Sequence, residues 1–369
     1  MRTQRLLLPL LIAGGAGAAE LEVISSAEIC GSCHRAIHEA WKRSAHAAAM
    51  ESRVFQDALE LAEGEFGAEA RKACLRCHSP VGVHLGDWGL KQKVTWEGIT
   101  CDYCHSVREV KLSGPNPAAR IEFSLVKTGP LKDASSLAHG TRYSEVHISS
   151  SICAPCHQYR NPAGLDVLTT YGEWRNSRYY KEKVQCQACH MGRVEGDVVD
   201  PRIQSSSTSR VNLHEMPGSH SVKQLNQAVR STLSAVRKGD QLEVMVQLAN
   251  AGAGHYVPTG SPMRELMLEV TADAYKGRDF AEKRLYRRVV GDAGGRPLSL
   301  EHAAFFRAAK VLSDTRLAPD EKRTETFLFA VPAGVPAQVT AKLSYYYSPM
   351  ARTESEKRVV FHTLSRFVK

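Results

Sequence analysis

The chain changes its hydrophobic rhythm part-way along. Up to about residue 221, apolar positions fall in short helical groupings such as AIHEAWKRSAHAAAM (36–50), and strand-like alternation is scarce. From about residue 240 the period becomes two. QLEVMVQLAN (241–250), MRELMLEVTA (263–272), TETFLFAV (324–331) and AQVTAKLSYYY (337–347) read as half-buried strands between Gly, Pro and Asp turns. A Ser-rich stretch, RIQSSSTSR (202–210), reads as a linker or extended arm. The pattern predicts a mainly α part with little regular secondary structure over 20–221. An all-β part, an immunoglobulin-like sandwich, is predicted over 222–369. The segment from roughly 275 to 320 follows neither period and reads as a long insertion.

Residues 1–19 follow a third pattern: Arg2 and Arg5, an apolar run, then small residues ending in AGAA. That is the layout of a secretory signal peptide cut near Ala18 or Ala19, so an exported protein, periplasmic or cell-surface in a bacterium, is expected. No other window approaches the roughly 20 apolar residues of a membrane span, so no transmembrane segment is expected after cleavage. The formal net charge of +9 looks at first like a nucleic-acid signal.

The cysteines change that picture. All ten fall in five copies of one pattern: Cys30/Cys33/His34, Cys74/Cys77/His78, Cys101/Cys104/His105, Cys153/Cys156/His157 and Cys186/Cys189/His190. C-x-x-C-H is the attachment signature of c-type haem, in which two thiols add across the vinyl groups and the adjacent histidine lies under the iron. Structural zinc sites combine cysteine pairs and do not need histidine after each one. Disulfides closed within C-x-x-C are usually catalytic, and five would have no role. Five covalently bound haems c are therefore expected. Their propionates would offset most of the positive charge, so no nucleic-acid partner is expected. Spread over about 200 residues, the haems themselves would form the core, with neighbouring edges nearly touching.

What faces each proximal histidine decides between carrier and catalyst, because an iron with two histidines passes electrons whereas an open sixth position binds a small molecule. The distal candidates are His46, His139, His147, His214, His220 and His255. His46 stands behind Trp41 on a short helix, His139 and His147 precede the fourth motif, and His214 or His220 is expected opposite His190. His255, in NAGAGHYVPTGSP (250–262), is expected to clamp the β part onto the haem part by capping a haem. His84 is a weaker candidate, being too near His78 in sequence to cap the same iron easily. His38, His302 and His362 read as solvated side chains. Two segments echo each other, WKRSAH (41–46) and WRNSRY (174–179), both W-x-x-S-x followed by His46 or Tyr179.

CGSCH followed by W-x-x-S-x-H, WEGITCDYCH, SSICAPCH, and EW-x-x-S before CQACHM together resemble the cytochrome c-554 family of multihaem cytochromes, related to hydroxylamine oxidoreductase and cytochrome c nitrite reductase. The resemblance covers about 25–220, and NAGAGHYVPTG looks like a turn of a β-domain appended to such proteins. It implies stacked, mostly bis-histidine haems, proximal roles for His34, His78, His105, His157 and His190, and a distal role for His46. Five sites and the extra domain depart from the family's type protein.

The expected function is electron transfer between redox partner proteins, such as membrane quinol-linked cytochromes or an outer-membrane electron conduit. The alternative is a reductase or oxidase of a small nitrogen or sulfur compound at one five-coordinate haem. A third expectation is assembly into an oligomer or filament through the sandwich.

Overall fold

The structure is a computed structural model describing residues 23–205, 210–275 and 277–369; the expected signal peptide lies outside the described residues. Ten short helices occupy the first part: Ala27–Gly31 (α1), Arg35–Lys42 (α2), Arg53–Phe66 (α3), Ala68–His78 (α4), Pro80–His84 (α5), Cys101–His105 (α6), Ala154–His157 (α7), Thr170–Arg175 (α8), Arg178–Lys181 (α9) and Cys186–His190 (α10). Every C-x-x-C-H histidine except His34 closes one of these helices, and His34 sits between α1 and α2. Two-stranded ribbons that the helical pattern did not announce lie between them: β1 (Val107–Lys111) with β2 (Ala118–Ile121), β3 (Val126–Gly129) with β4 (Gly140–Tyr143), β5 (Tyr159–Arg160) with β6 (Asp166–Leu168), and β7 (Arg193–Glu195) with β8 (Arg210–Asn212).

The second part opens with α11 (Val222–Ala228) and continues as β9 (Val229–Lys238), β10 (Gln241–Asn250), β11 (Glu265–Ala274), β12 (Phe280–Gly291), α12 (Glu301–Arg307), β13 (Lys310–Asp314), β14 (Lys322–Phe329), β15 (Ala337–Tyr346) and β16 (Arg358–Val368). One sheet runs β14-β10-β9 and the other β13-β12-β11-β15-β16, both antiparallel. Alternation along β10 and β11 buries Leu242, Val244, Val246 and Leu248 against Leu266, Leu268, Val270 and Ala272. One core is thus shared by two facing sheets. The stretch at 275–320 holds β12, α12 and β13; β12 is rich in charge and β13 is exposed throughout, which hides both from a period-two reading.

The two parts differ in how they are filled. The sandwich has one continuous apolar core, whereas the haem-motif part has only small separate clusters such as Met50, Phe55, Leu59 and Leu75. Small clusters of that kind supply little of the apolar burial that offsets chain entropy.

Candidate multihaem site

The space missing from the first part is one connected cavity of about 1430 Å³, lined by all ten cysteines and all five motif histidines. None of the cysteines is in a disulfide. Burial pushes the Cys74 and Cys104 thiols up to about 12, so they stay protonated. Among the described residues no three His, Cys, Asp or Glu side chains converge as a metal cluster, as a structural zinc site would need. The cavity, its lining and the spread of the thiols fit covalently attached macrocycles.

The thiols also show which motifs are neighbours. The Cys30 thiol lies within hydrogen-bonding reach of Cys101, Cys77 of Cys156, and Cys153 of Cys186. Cys104 lies close enough to raise the pKa of both Cys153 and Cys156. The first motif therefore adjoins the third, the third adjoins the fourth, and the fourth adjoins both the second and the fifth.

Four motif histidines anchor Nδ1 on a backbone carbonyl: His34 on Val198 (2.6 Å), His78 on Ala49 (3.1 Å), His105 on Thr128 (2.6 Å) and His190 on Pro217 (2.8 Å). A carbonyl can only accept, so Nδ1 carries the proton and Nε2 keeps a bare lone pair, the form that ligates metal. His139, His214 and His255 do the same through Gly140, Asn212 and Tyr256. Burial lowers the pKa of His46, His78 and His214 to about 4 and of His157 to about 3, which keeps these rings neutral near pH 7.

Two metal–nitrogen bonds of about 2 Å, plus about 1.1 Å from nitrogen to ring centre on each side, place axial imidazole centroids roughly 6.2 Å apart. His34 faces His139 at 6.2 Å, His157 faces His46 at 6.3 Å, His190 faces His255 at 6.3 Å and His105 faces His214 at 6.4 Å. The ring opposite His190 is thus His255, where His214 or His220 was expected. Sequence distance misled there: the sandwich loop packs beside α10, while the arm carrying His214 crosses to the third motif. His220 bonds the Glu356 carbonyl and sits edge-on to Tyr347. His147 lies 5.3 Å from His105, nearer than axial spacing, with Nε2 on the Cys104 carbonyl. His84 packs edge-on against Phe123. His78 has a different neighbour, Phe55, stacked on its ring at 3.6 Å.

Local sequence explains several placements. The Trp41 indole donates to the Ile99 carbonyl, two residues before Cys101, and Ile99 N–H bonds the His46 carbonyl. Gly98, at φ +67°, lets that turn approach, because a Cβ there would meet the His46 oxygen at 2.3 Å. The echo repeats the docking: Trp174 donates to the Val184 carbonyl, two residues before Cys186. Tyr179 then occupies the place of His46 and packs with Trp174 against Gly254, next to His255.

Sequence reasoning missed the clamp that holds this loop. Buried Glu173 accepts from Thr169, Thr259, the Tyr256 amide and Arg316, whose guanidinium also pairs with Asp314. His38 and His302, expected in solvent, are buried at 6% and 7% exposure, and His362 bonds Ser231. Only amphipathic spacing could have flagged His38, and nothing in sequence links His302 to its partner Glu65.

The family model for cytochrome c554 and c-prime matches residues 29–106, spanning the first three motifs. The chain is similar to the crystal structure of a penta-heme cytochrome c552 from Thermochromatium tepidum, with a TM-score of 0.74 and 21% identity over 93% of this chain and 99% of that one. The fold is that of a multihaem c-type cytochrome. A sporulation control protein, Spo0M from Bacillus subtilis, aligns over 38% of this chain and 48% of its own at 9% identity, and its TM-score of 0.15 carries no argument. No curated protein matches the chain. Among the described residues no helix is long and apolar enough to cross a membrane.

Proposed function

We propose that this chain is an exported pentahaem c-type cytochrome that carries electrons between redox proteins, with an immunoglobulin-like sandwich appended. Haem supplies a one-electron couple when bound, and its axial ligands and burial set the potential. The observation that carries the reading is the set of four facing histidine pairs at axial spacing, all lining one cavity with the ten cysteines. In this reading His139, His46, His214 and His255 are the distal ligands opposite His34, His157, His105 and His190, and His147 and His220 support the site from its flanks. The motif neighbours trace a path from first to third to fourth to fifth, with the second as a side branch at the fourth.

A second reading attaches to that branch. Among the ring contacts of the described residues His78 faces no histidine, and its close neighbour is Phe55. This favours one haem with an open position, as a small-molecule reductase or oxidase would require. Haem content by pyridine haemochrome and the ferric spectrum test both readings. Five haems per chain are expected, four low-spin and one high-spin. Fewer than five haems, or fewer than four low-spin ones, would overturn the carrier assignment, and five low-spin haems would remove the second reading.

A further inference from the structure

Arg264 stands one residue ahead of β11, where the sandwich meets the haem cavity. It lines that cavity with Gly260, Tyr345 and Tyr347, yet its Nε is buried with no partner. Nη1 donates to the Thr259 carbonyl at 3.1 Å, and the Tyr347 ring lies 5.3 Å from the guanidinium carbon. Among the described residues no carboxylate pairs with it.

A guanidinium does not shed its proton in a protein, so this charge is permanent and Nε is always a donor. A buried charge without a counter-ion is costly. The fold nonetheless makes room for it: Gly260, at φ +90°, leaves the space in which a Cβ would meet Nη1 at 2.6 Å. Glu301 feels the Arg264 charge, but it accepts from Ser348 and burial raises its pKa, which disfavours the ionised form that a counter-ion needs. An orphaned buried donor on a permanent cation, facing the cavity that the ten cysteines line, fits an anionic group of the cofactor, and each haem carries two propionates. Position selects the haem. Burial does most to lower the His157 pKa to about 3, and Arg264 is among the charges that add to it. The ring facing His157 is His46.

We propose that Arg264 holds a propionate of the haem between His157 and His46, so that the sandwich sets the potential of the haem at which the path branches. The inference rests on the haem reading above. The fourth motif adjoins the second, third and fifth, so its potential weights where an electron goes next. Arg264 meets the carboxylate rather than the iron, and its effect is electrostatic: a nearby cation favours the reduced state, which carries one positive charge fewer.

The test is a redox titration of the holo-protein followed through its ferric low-spin EPR signals. The fourth haem is identified as the signal that His46→Ala turns high-spin. Arg264→Gln is expected to lower the midpoint of that haem alone. A unit charge about 10 Å from an iron, at an effective dielectric of about 20, changes the reduction equilibrium roughly tenfold. Arg264→Lys keeps the charge on a single-point donor and is expected to recover most of the shift. Gly260→Ala pushes the guanidinium aside without removing it, so a smaller shift in the same direction is expected, and this variant carries the test if Arg264→Gln fails to fold. Unchanged midpoints in both Arg264→Gln and Gly260→Ala, with five haems bound, overturn the propionate contact. A shift in another haem with the fourth unmoved overturns it equally. A wild type without the signal that His46→Ala removes overturns the haem reading beneath the proposal, and the proposal with it.

Discussion

Replacing Glu173 by alanine tests whether the sandwich holds the His255 ring opposite His190. In the native chain this carboxylate gathers Thr169, Thr259, the Tyr256 amide and Arg316, tying α8 to the loop that presents His255. Burial alone would raise its pKa, but Arg316 and the two threonines more than offset that, so the carboxyl titrates below its ordinary range. Removing one member of a buried ion pair costs about 3–5 kcal/mol, because the other charge is stranded. Here Asp314 remains on Arg316 at 2.7 Å, so the loss falls near the lower figure, about 3 kcal/mol. The urea-unfolding midpoint should drop accordingly. His255 should also loosen its approach to His190, turning one low-spin ferric haem partly high-spin. An unchanged midpoint and spectrum would show that the loop is held by its own packing. The acid dependence has a fixed sign. A depressed carboxyl stabilises fully above its unfolded pKa and loses that share as pH falls through the folded one, so wild type should weaken below about pH 4 and Glu173→Ala should show less of this loss.

Phe55→Ala should cost about 3–5 kcal/mol as a large-to-small core change and should shift the spectrum of the second haem alone, because Phe55 packs on His78; a thermal melt and a redox titration read the two effects. His214→Ala should convert one haem from low- to high-spin whereas His147→Ala should not, and the opposite result would exchange their roles at His105. Burial lowers the pKa of His46 and His157 to about 4 and 3, so the unfolded chain binds protons that the folded chain refuses. Stability should therefore be full above about pH 6.5 and decline as pH falls below it; denaturant midpoints between pH 7 and 4 check the direction.

The haem chemistry was legible in the chain alone, because attachment depends on local spacing: two thiols and a histidine within five residues either fit a macrocycle or do not. The strands of the sandwich were legible for the same reason, since period-two burial along β10 and β11 is a local pattern. Trp41 and Trp174 were visible as an echo, yet their shared job of docking two residues before a motif needed coordinates. Partners across the haem slots are a tertiary matter. His214 comes to His105 from over a hundred residues away, and His255 reaches His190 from the sandwich loop, so nearness in sequence predicted neither. Glu173 and Arg316 are single charged residues that look solvated until folding buries them against each other, and His302 is buried where it meets Glu65. Local spacing determines what the chain can bind, and long-range packing decides which rings face one another across the cavity.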